Sequence, residues 1–281
     1  MDALAWCRDR LLVPGNPLTA SLPFAEAAQR DRILALRTLI GELGSAADSA
    51  EERVGQTKVE WWASALAGDL PAAQRHPAIQ ALTQSGASER LERADLQALV
   101  GAIGGLLETP RFERFEELWS FCRGVGGQAL VLEGQLLGGD EAGVVKLGEI
   151  GTAAYLIRLV RDIAMDARAN RWWVPLELQA DYQVSRKDLA EARIGRGFDG
   201  LIRTLLHESL QRAEAAIDSL PSKEAWQHRH ALIYWALDRR LALKLARRPA
   251  RLVQRRLLPG HVGNVIVAWR AARDLRRAAS A

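Results

Sequence analysis

Cysteine, lysine and long apolar runs are all scarce in this chain of 281 residues. Its two cysteines, Cys7 and Cys122, cannot build a disulfide framework, and no His/Cys cluster has the spacing of a zinc site. The longest uncharged stretches run to about a dozen residues and contain Pro or Gly, whereas a membrane-spanning helix needs roughly 20 apolar residues. These absences exclude a disulfide-stapled scaffold and an integral membrane protein.

The first residues also lack the pattern of a secretory signal. Charged residues at positions 2, 8, 9 and 10 interrupt what would otherwise be an apolar core. The composition, 48% apolar and 26% charged, is that of a globular chain rather than a disordered one. We therefore expect a folded protein in the cytoplasm, where both thiols stay reduced.

Basic residues are mostly arginine, and many fall late in the chain. The formal net charge is +4, and a basic tract, defined here as residues 239–256, carries eight of the 38 basic residues. Two interpretations stay open: peripheral contact with an anionic membrane such as the inner membrane, or a solvated helix face. No nucleic-acid reader motif accompanies the tract, so we expect no nucleic-acid partner. Its members are Arg239, Arg240, Lys244, Arg247, Arg248, Arg251, Arg255 and Arg256.

Apolar residues recur at three- and four-residue steps along most of the chain, which is typical of amphipathic helices. Glycine and proline separate these stretches, and none alternates long enough to require a strand. The pattern predicts one all-α domain over residues 1–281. Its helices are expected at 26–44, 53–67, 76–85, 94–107, 111–137, 141–168, 186–193, 198–218, 224–247 and 262–279.

Histidines and clustered glycines give weaker signals. The glycines in the stretch 124–127 follow no strand, so they are expected to let helices approach closely rather than to form a phosphate loop. Surface or capping positions are the expectation for His207, His228, His230 and His261, because none has a nucleophile or ligand partner at useful spacing.

Two aspartates four residues apart stand out in the segment 150–178. On a helix, Asp162 and Asp166 lie one turn apart on the same face, where like charges repel. Nearby arginines could make this an ordinary charged outer face. The alternative is a magnesium site, since Mg²⁺ takes one or two carboxylates together with waters and substrate phosphate oxygens.

The same segment resembles the second aspartate-rich region of squalene and phytoene synthases, the pattern LGxAxQLxNxLRDxxxDxxxGRxYLP. Further likeness lies in PLTASLPFAEAAQRDRILALRTL (17–39), KVEWW (58–62), HPAIQAL (76–82) and FEELWSFCRGVGG (115–127), in the family's order. The positions that match within the aspartate-rich pattern are Gly151, Ala153, Leu156, Arg161, Asp162, Asp166, Arg171 and Pro175.

The resemblance implies a helical bundle of the isoprenoid synthase type with a central cavity. It also implies a Mg²⁺-dependent transferase of isoprenoid biosynthesis that joins two prenyl diphosphates head to head. The implied metal ligands are Asp48, Asp162 and Asp166, and the implied diphosphate ligands are Arg158, Arg161, Arg168 and Arg171. Aromatic candidates for the cavity wall, for which ordinary core packing is the more common alternative, are Trp61, Trp62, Trp119, Phe121 and Tyr155.

Several departures from the family pattern put catalysis in doubt. The first aspartate-rich motif, DDxxD, corresponds here to residues 44–48, and only Asp48 remains; Tyr155 and Arg158 replace the family's Gln and Asn. A guanidinium in place of an amide removes an acceptor for a metal and adds positive charge. Similar losses occur in the mitochondrial complex I assembly factor that has this domain. The second hypothesis is therefore a non-catalytic assembly or lipid-binding factor that acts through a partner protein or a bound isoprenoid lipid.

Overall fold

The computed structural model describes residues 2–49, 51–108 and 110–280, and within them every regular element is helical. This confirms the all-α prediction. No helix in these ranges is long and apolar enough to cross a bilayer. The helices are α1 Ala3–Leu11, α2 Pro17–Ser21, α3 Ala27–Ala47, α4 Glu52–Ala67, α5 Pro77–Gln84, α6 Arg93–Gly104, α7 Phe115–Cys122, α8 Gln128–Leu136, α9 Glu141–Arg168, α10 Leu176–Tyr182, α11 Arg186–Ala190, α12 Phe198–Asp218, α13 Ser222–Gln227, α14 Arg229–Arg247, α15 Arg251–Gln254 and α16 His261–Ser280.

The bundle is organised around α9, its longest helix. Asp140 caps the helix by accepting a hydrogen bond from the Gly143 backbone N–H at 2.6 Å. Sixteen of its 28 residues are buried, because α8, α12 and α14 pack on different sides of it. A helix surrounded in this way is apolar on most faces, so the charged side chains that α9 does carry require an explanation.

A π-helical segment, Arg123–Gly127, joins α7 to α8 and lies directly against α9. A Cβ added at Gly126 would come within 2.3 Å of the Tyr155 Cβ, and one added at Gly151 within 2.3 Å of the Gly126 carbonyl oxygen. Only glycine fits at both positions. The prediction that these glycines serve close helix approach is correct, although the segment interrupts the single helix predicted over 111–137.

Two large hydrophobic cores fill most of the bundle, and a smaller third cluster lies where α2, α14 and α16 meet. The first packs α1 and α3–α6 around Leu36, Leu39 and Leu99; the second packs α9, α12 and α14 around Ile157, Leu205 and other aliphatic residues. Phe121 and Tyr155 contact both cores. A cavity lies between the cores, as expected for a bundle of the isoprenoid synthase type.

Four short helices, α1, α2, α10 and α15, escaped the sequence prediction, and the helix predicted at 224–247 breaks at His228 into α13 and α14. Short helices carry too few turns to show a clear period. Local capping starts two of them. Asp2 caps α1 by accepting a hydrogen bond from the Leu4 N–H, and Asn16, which precedes Pro17, caps α2 by accepting one from the Leu18 N–H.

Candidate functional site

The central cavity has a volume of about 430 Å³ and is walled by α3, α6, α9 and α14 together with the π-helical segment. Aliphatic and aromatic side chains line most of it, including Ile40, Ile103, Ile150 and Trp235. Charged groups gather where α3 ends and where α9 approaches its C-terminus. The cavity is therefore an apolar chamber with one charged end, referred to below as the mouth.

The structure brings most of the predicted site residues to this cavity. Asp48 follows the last turn of α3, and Arg158, Asp162 and Asp166 form a stripe along α9 at four-residue intervals. The predicted residues that line the cavity are Asp48, Phe121, Tyr155, Arg158, Arg161, Asp162, Asp166 and Arg171.

Two arginines hold Asp162. Arg256, from the loop after α15, donates from Nε and Nη2 to the two carboxylate oxygens at 2.7 and 2.8 Å, and Arg161 donates to the same pair of oxygens. Burial would raise the pKa of Asp162, but the two guanidiniums outweigh burial and lower it below its ordinary value. Asp162 is thus ionised and already neutralised by the protein.

Asp166 is held differently. Arg171 donates to its Oδ1 at 2.7 and 3.1 Å, and the Trp173 indole N–H donates to its Oδ2 at 3.2 Å. Burial nevertheless raises the pKa of Asp166, because this side chain lies deeper than that of Asp162 and the Asp162 charge adds repulsion. The two carboxylates of the motif therefore have unlike environments.

Formal charge at the mouth is balanced. Asp48, Asp162 and Asp166 face Arg161, Arg171 and Arg256, and Arg256 lies within electrostatic range of all three carboxylates. Within the described ranges, no three His, Cys, Asp or Glu side chains are grouped closely enough to hold a metal unaided. Mg²⁺ fits this donor set only when a ligand supplies further oxygens, since Mg²⁺ is commonly bound by one or two carboxylates plus substrate phosphates.

The inner wall of the cavity carries two more ion pairs. Arg158 donates to Asp238 at 2.7 Å, and Arg37 donates to the buried Glu133 at 2.9 Å. Both guanidiniums lie over the Tyr234 ring, at 4.7 Å for Arg37 and 5.4 Å for Arg158. The Asp238 charge outweighs burial and raises the pKa of Arg158, so this side chain stays cationic inside a mainly apolar chamber.

Four predicted residues are not at the cavity. Trp61 and Trp62 pack on each other and on His76 beside the first core, with ring centroids 4.8 to 5.7 Å apart. Trp119 is buried beneath Arg212, and Arg168 donates to the Val253 carbonyl oxygen behind α9. Ordinary core packing was the alternative for the aromatics; Trp62 and Trp119 are buried in the cores, whereas Trp61 is 36% exposed at the surface.

Several site residues were missed by sequence reasoning. Arg37, Glu133, Tyr234 and Asp238 come from three helices and share no local pattern, while Arg256 was assigned only to the basic tract. Surface positions were wrong for His228 and His230, because both are buried, although His228 does occupy the capping position between α13 and α14. His230 Nδ1 lies 2.7 Å from Glu133, whose carboxylate therefore accepts from both the histidine and Arg37.

Fold and site together define a helical bundle of the isoprenoid synthase type. The squalene/phytoene synthase family model matches residues 17–261, and the chain therefore belongs to that family. A curated relative, the 15-cis-phytoene synthase of Enterobacter agglomerans, is 25% identical over 183 residues. That match spans 63% of this chain and about 60% of the relative's length.

Solved structures share the fold at low identity. A dehydrosqualene synthase in complex with a ligand superimposes with a TM-score of 0.74 and 15% identity over 98% of this chain and 97% of its own. The squalene synthase HpnC from Alicyclobacillus acidocaldarius gives a TM-score of 0.69 and 16% identity, covering 88% and 94% of the two chains. YisP from Bacillus subtilis gives 0.71 and 14%, covering 95% of each chain.

Proposed function

We propose that the protein binds a prenyl diphosphate, with the chain in the apolar cavity and the diphosphate at the mouth, as a head-to-head prenyl transferase of isoprenoid biosynthesis. One observation carries this proposal: the apolar chamber opens at a mouth that holds Arg161, Arg171 and Arg256. Guanidiniums bind phosphate oxygens through paired hydrogen bonds, and apolar walls favour a hydrocarbon chain. Family membership supports the same ligand class.

Charge balance at the mouth suggests how these residues would respond to a ligand. An incoming diphosphate would compete with Asp162 and Asp166 for Arg161, Arg256 and Arg171. Each aspartate that loses its arginine becomes an uncompensated, partly buried carboxylate, which is costly. Asp162 and Asp166, with Asp48 opposite, would then be the residues that hold Mg²⁺. A bound divalent ion would supply charge neutralisation of the diphosphate.

A thermal-shift experiment tests the proposal. A diphosphate bound alone would leave Asp162 and Asp166 without their arginine partners. Mg²⁺ alone, or farnesyl or geranylgeranyl diphosphate alone, should therefore raise the melting temperature little. Mg²⁺ and the prenyl diphosphate together should raise it by several degrees. D162N/D166N should abolish the joint shift, whereas the control D181N/D199N should retain it, because neither control aspartate lines the cavity. No joint shift in the unaltered protein would refute prenyl diphosphate binding.

A second candidate function, isoprenoid binding without turnover as an assembly or lipid-binding factor, is favoured by one observation. Arg37 and Arg158 line the chamber that would contain a carbocation intermediate, where their positive charges would repel it. Both guanidiniums also lie over the Tyr234 ring, whose face could otherwise stabilise the carbocation. Pyrophosphate release in the presence of Mg²⁺ separates the two candidates. Release at a rate that D162N/D166N lowers supports the transferase; a joint thermal shift without release supports the binding factor.

Peripheral contact of the basic tract with an anionic membrane also remains a proposal. Four of its members already serve internal contacts: Arg239 pairs with Glu214, Arg240 donates to Asn264, Lys244 donates to the Leu258 carbonyl oxygen, and Arg256 pairs with Asp162. These contacts reduce the charge that the tract can offer to lipid head groups.

A further inference from the structure

The C-terminal helix α16 exposes an apolar stripe to solvent. Val262, Val265, Ile266 and Trp269 are 72%, 43%, 45% and 52% exposed. Their three- and four-residue spacing places them on one face of the helix. The opposite face, which includes the fully buried Ala268, packs against α2 and α14. The stripe therefore points away from the protein, and nothing within the described chain covers it.

Arginines continue the same face of α16 beyond the stripe. Arg273, Arg276 and Arg277 border one surface depression together with Ser280. The Arg273 guanidinium lies 5.0 Å from the Trp269 ring centroid, so the basic group begins where the apolar stripe ends. The helix carries four arginines against one aspartate, which makes it markedly basic.

The loop before α16 links this face to the cavity mouth. Leu258 is 56% exposed and lies four residues ahead of Val262. Two residues earlier in the same loop, Arg256 pairs with Asp162 at the mouth. An apolar surface, a basic surface and the entrance of an apolar chamber are thus adjacent along one short stretch of chain.

We propose that α16 and Leu258 dock the protein on an anionic lipid bilayer, with the stripe at the boundary between head groups and acyl chains. A helix that is apolar on one face and flanked by arginines suits this position, and tryptophan favours the membrane interface. The basic group bordering the stripe favours a negatively charged bilayer over a neutral apolar partner. Docking here would place the cavity mouth near the source of long apolar ligands, and it does not require turnover of a diphosphate.

Vesicle co-sedimentation of the full chain tests this docking surface. Binding to phosphatidylglycerol-containing vesicles should exceed binding to phosphatidylcholine vesicles and should fall as salt rises. V262S/I266S/W269S should weaken binding at least tenfold, while V13S/V54S/V145S, which removes three other exposed apolar groups, should not. R273Q/R276Q/R277Q should also weaken binding at least tenfold, since each arginine near the surface contributes roughly fivefold. R75Q/R90Q/R196Q is the matched control: it removes three exposed arginines elsewhere and should not weaken binding to the same extent.

Three outcomes would overturn the proposal. One is equal binding to anionic and neutral vesicles, and another is equal loss in the stripe variant and its control. The third is a dimer, seen by light scattering, that V262S/I266S/W269S dissociates without changing vesicle binding, because the stripe would then be covered by a second copy. Helix content by circular dichroism confirms that each variant is folded.

Discussion

Glu133 is a fully buried carboxylate that joins three helices through its partners. Glu133 lies on α8 and accepts hydrogen bonds from Arg37 of α3 and His230 of α14. The other ring nitrogen of His230, Nε2, lies 3.2 Å from the Ser21 hydroxyl of α2. Burial would raise the pKa of Glu133, but the positive charges of Arg37 and His230 lower it to about 2. Because the folded-state pKa is depressed, the stabilisation is complete above the unfolded value of 4.5 and is lost as pH falls from there towards 2.

Removing this charge should destabilise the fold strongly. E133Q leaves the Arg37 guanidinium buried without its counter-ion, and we expect a loss of about 3 kcal/mol in the free energy of unfolding at pH 7. Urea denaturation measures the loss. R37M/E133L removes both charges, so it should recover more than half of the stability that E133L alone loses. A loss below about 1 kcal/mol in E133Q would show that the pair is not energetically coupled.

His228 should make the protein sensitive to mild acid. Its side chain is fully buried at the junction of α13 and α14. Neither ring nitrogen has a hydrogen-bond partner among the described residues, and Glu224 Oε2 lies 3.4 Å from Nε2. Burial lowers the pKa of His228, so the folded state prefers the neutral ring. Stability is then complete above the unfolded pKa of 6.5 and falls as pH drops below it.

The corresponding test compares the pH dependence of unfolding in two proteins. H228L cannot be protonated, so it should show a smaller loss of stability between pH 7 and pH 5 than the unaltered chain. Because the ring nitrogens form no hydrogen bonds, the substitution should cost little at pH 7. Identical slopes of unfolding free energy against pH would assign the acid sensitivity to other groups.

At the scale of helices, the contact between the π-helical segment and α9 sets the cavity wall. Backbone of one element touches backbone of the other at Gly126 and Gly151, with Tyr155 directly beside the contact. A methyl group here has no space, because the neighbouring atoms are a carbonyl oxygen and a Cβ rather than the end of a flexible side chain.

G126A should therefore cost at least 2 kcal/mol of unfolding free energy and displace Tyr155 from the cavity wall. Gly41 is the matched control: it lies inside α3, and an added Cβ meets nothing within 4 Å. G41A should stabilise the protein by roughly 0.5–1 kcal/mol, because alanine loses less backbone entropy in a helix. Chemical denaturation of both variants measures whether the unfolding free energy falls in G126A and rises in G41A. An unchanged unfolding free energy in G126A would mean that the π-helical segment and α9 separate at little cost.

At the scale of the whole molecule, periodicity predicted the helices well and the pairings between them poorly. The four-residue spacing of Asp162 and Asp166 depends only on helix geometry, so their shared face followed directly from the sequence. The contact of Arg256 with Asp162 spans 94 residues, and that of Arg37 with Glu133 spans 96. No local pattern encodes such contacts. Trp61 and Trp62 were misplaced for a related reason, since apolar periodicity does not show whether a helical position faces a cavity, a filled core or the surface.

A chain bound in the cavity should hold the two hydrophobic cores together. Ile40, Ile103 and Val125 line it from the side of the first core, and Leu130 and Ile150 from the side of the second. A ligand that binds only the folded state adds about 2.7 kcal/mol at a concentration of 100 Kd. For a protein of this size that corresponds to a rise in Tm of roughly 5 °C.

Farnesyl diphosphate with Mg²⁺ should therefore raise Tm well above the value reached with pyrophosphate and Mg²⁺, because pyrophosphate lacks the apolar chain. Ala154 lines the chamber and is 5% exposed, so A154F should obstruct part of it and reduce the farnesyl effect towards that of pyrophosphate. A72F, at an exposed position outside the cavity, serves as the control and should keep the full difference. Equal shifts with both ligands in the unaltered protein would contradict this prediction, since the stabilisation would then come from the mouth alone.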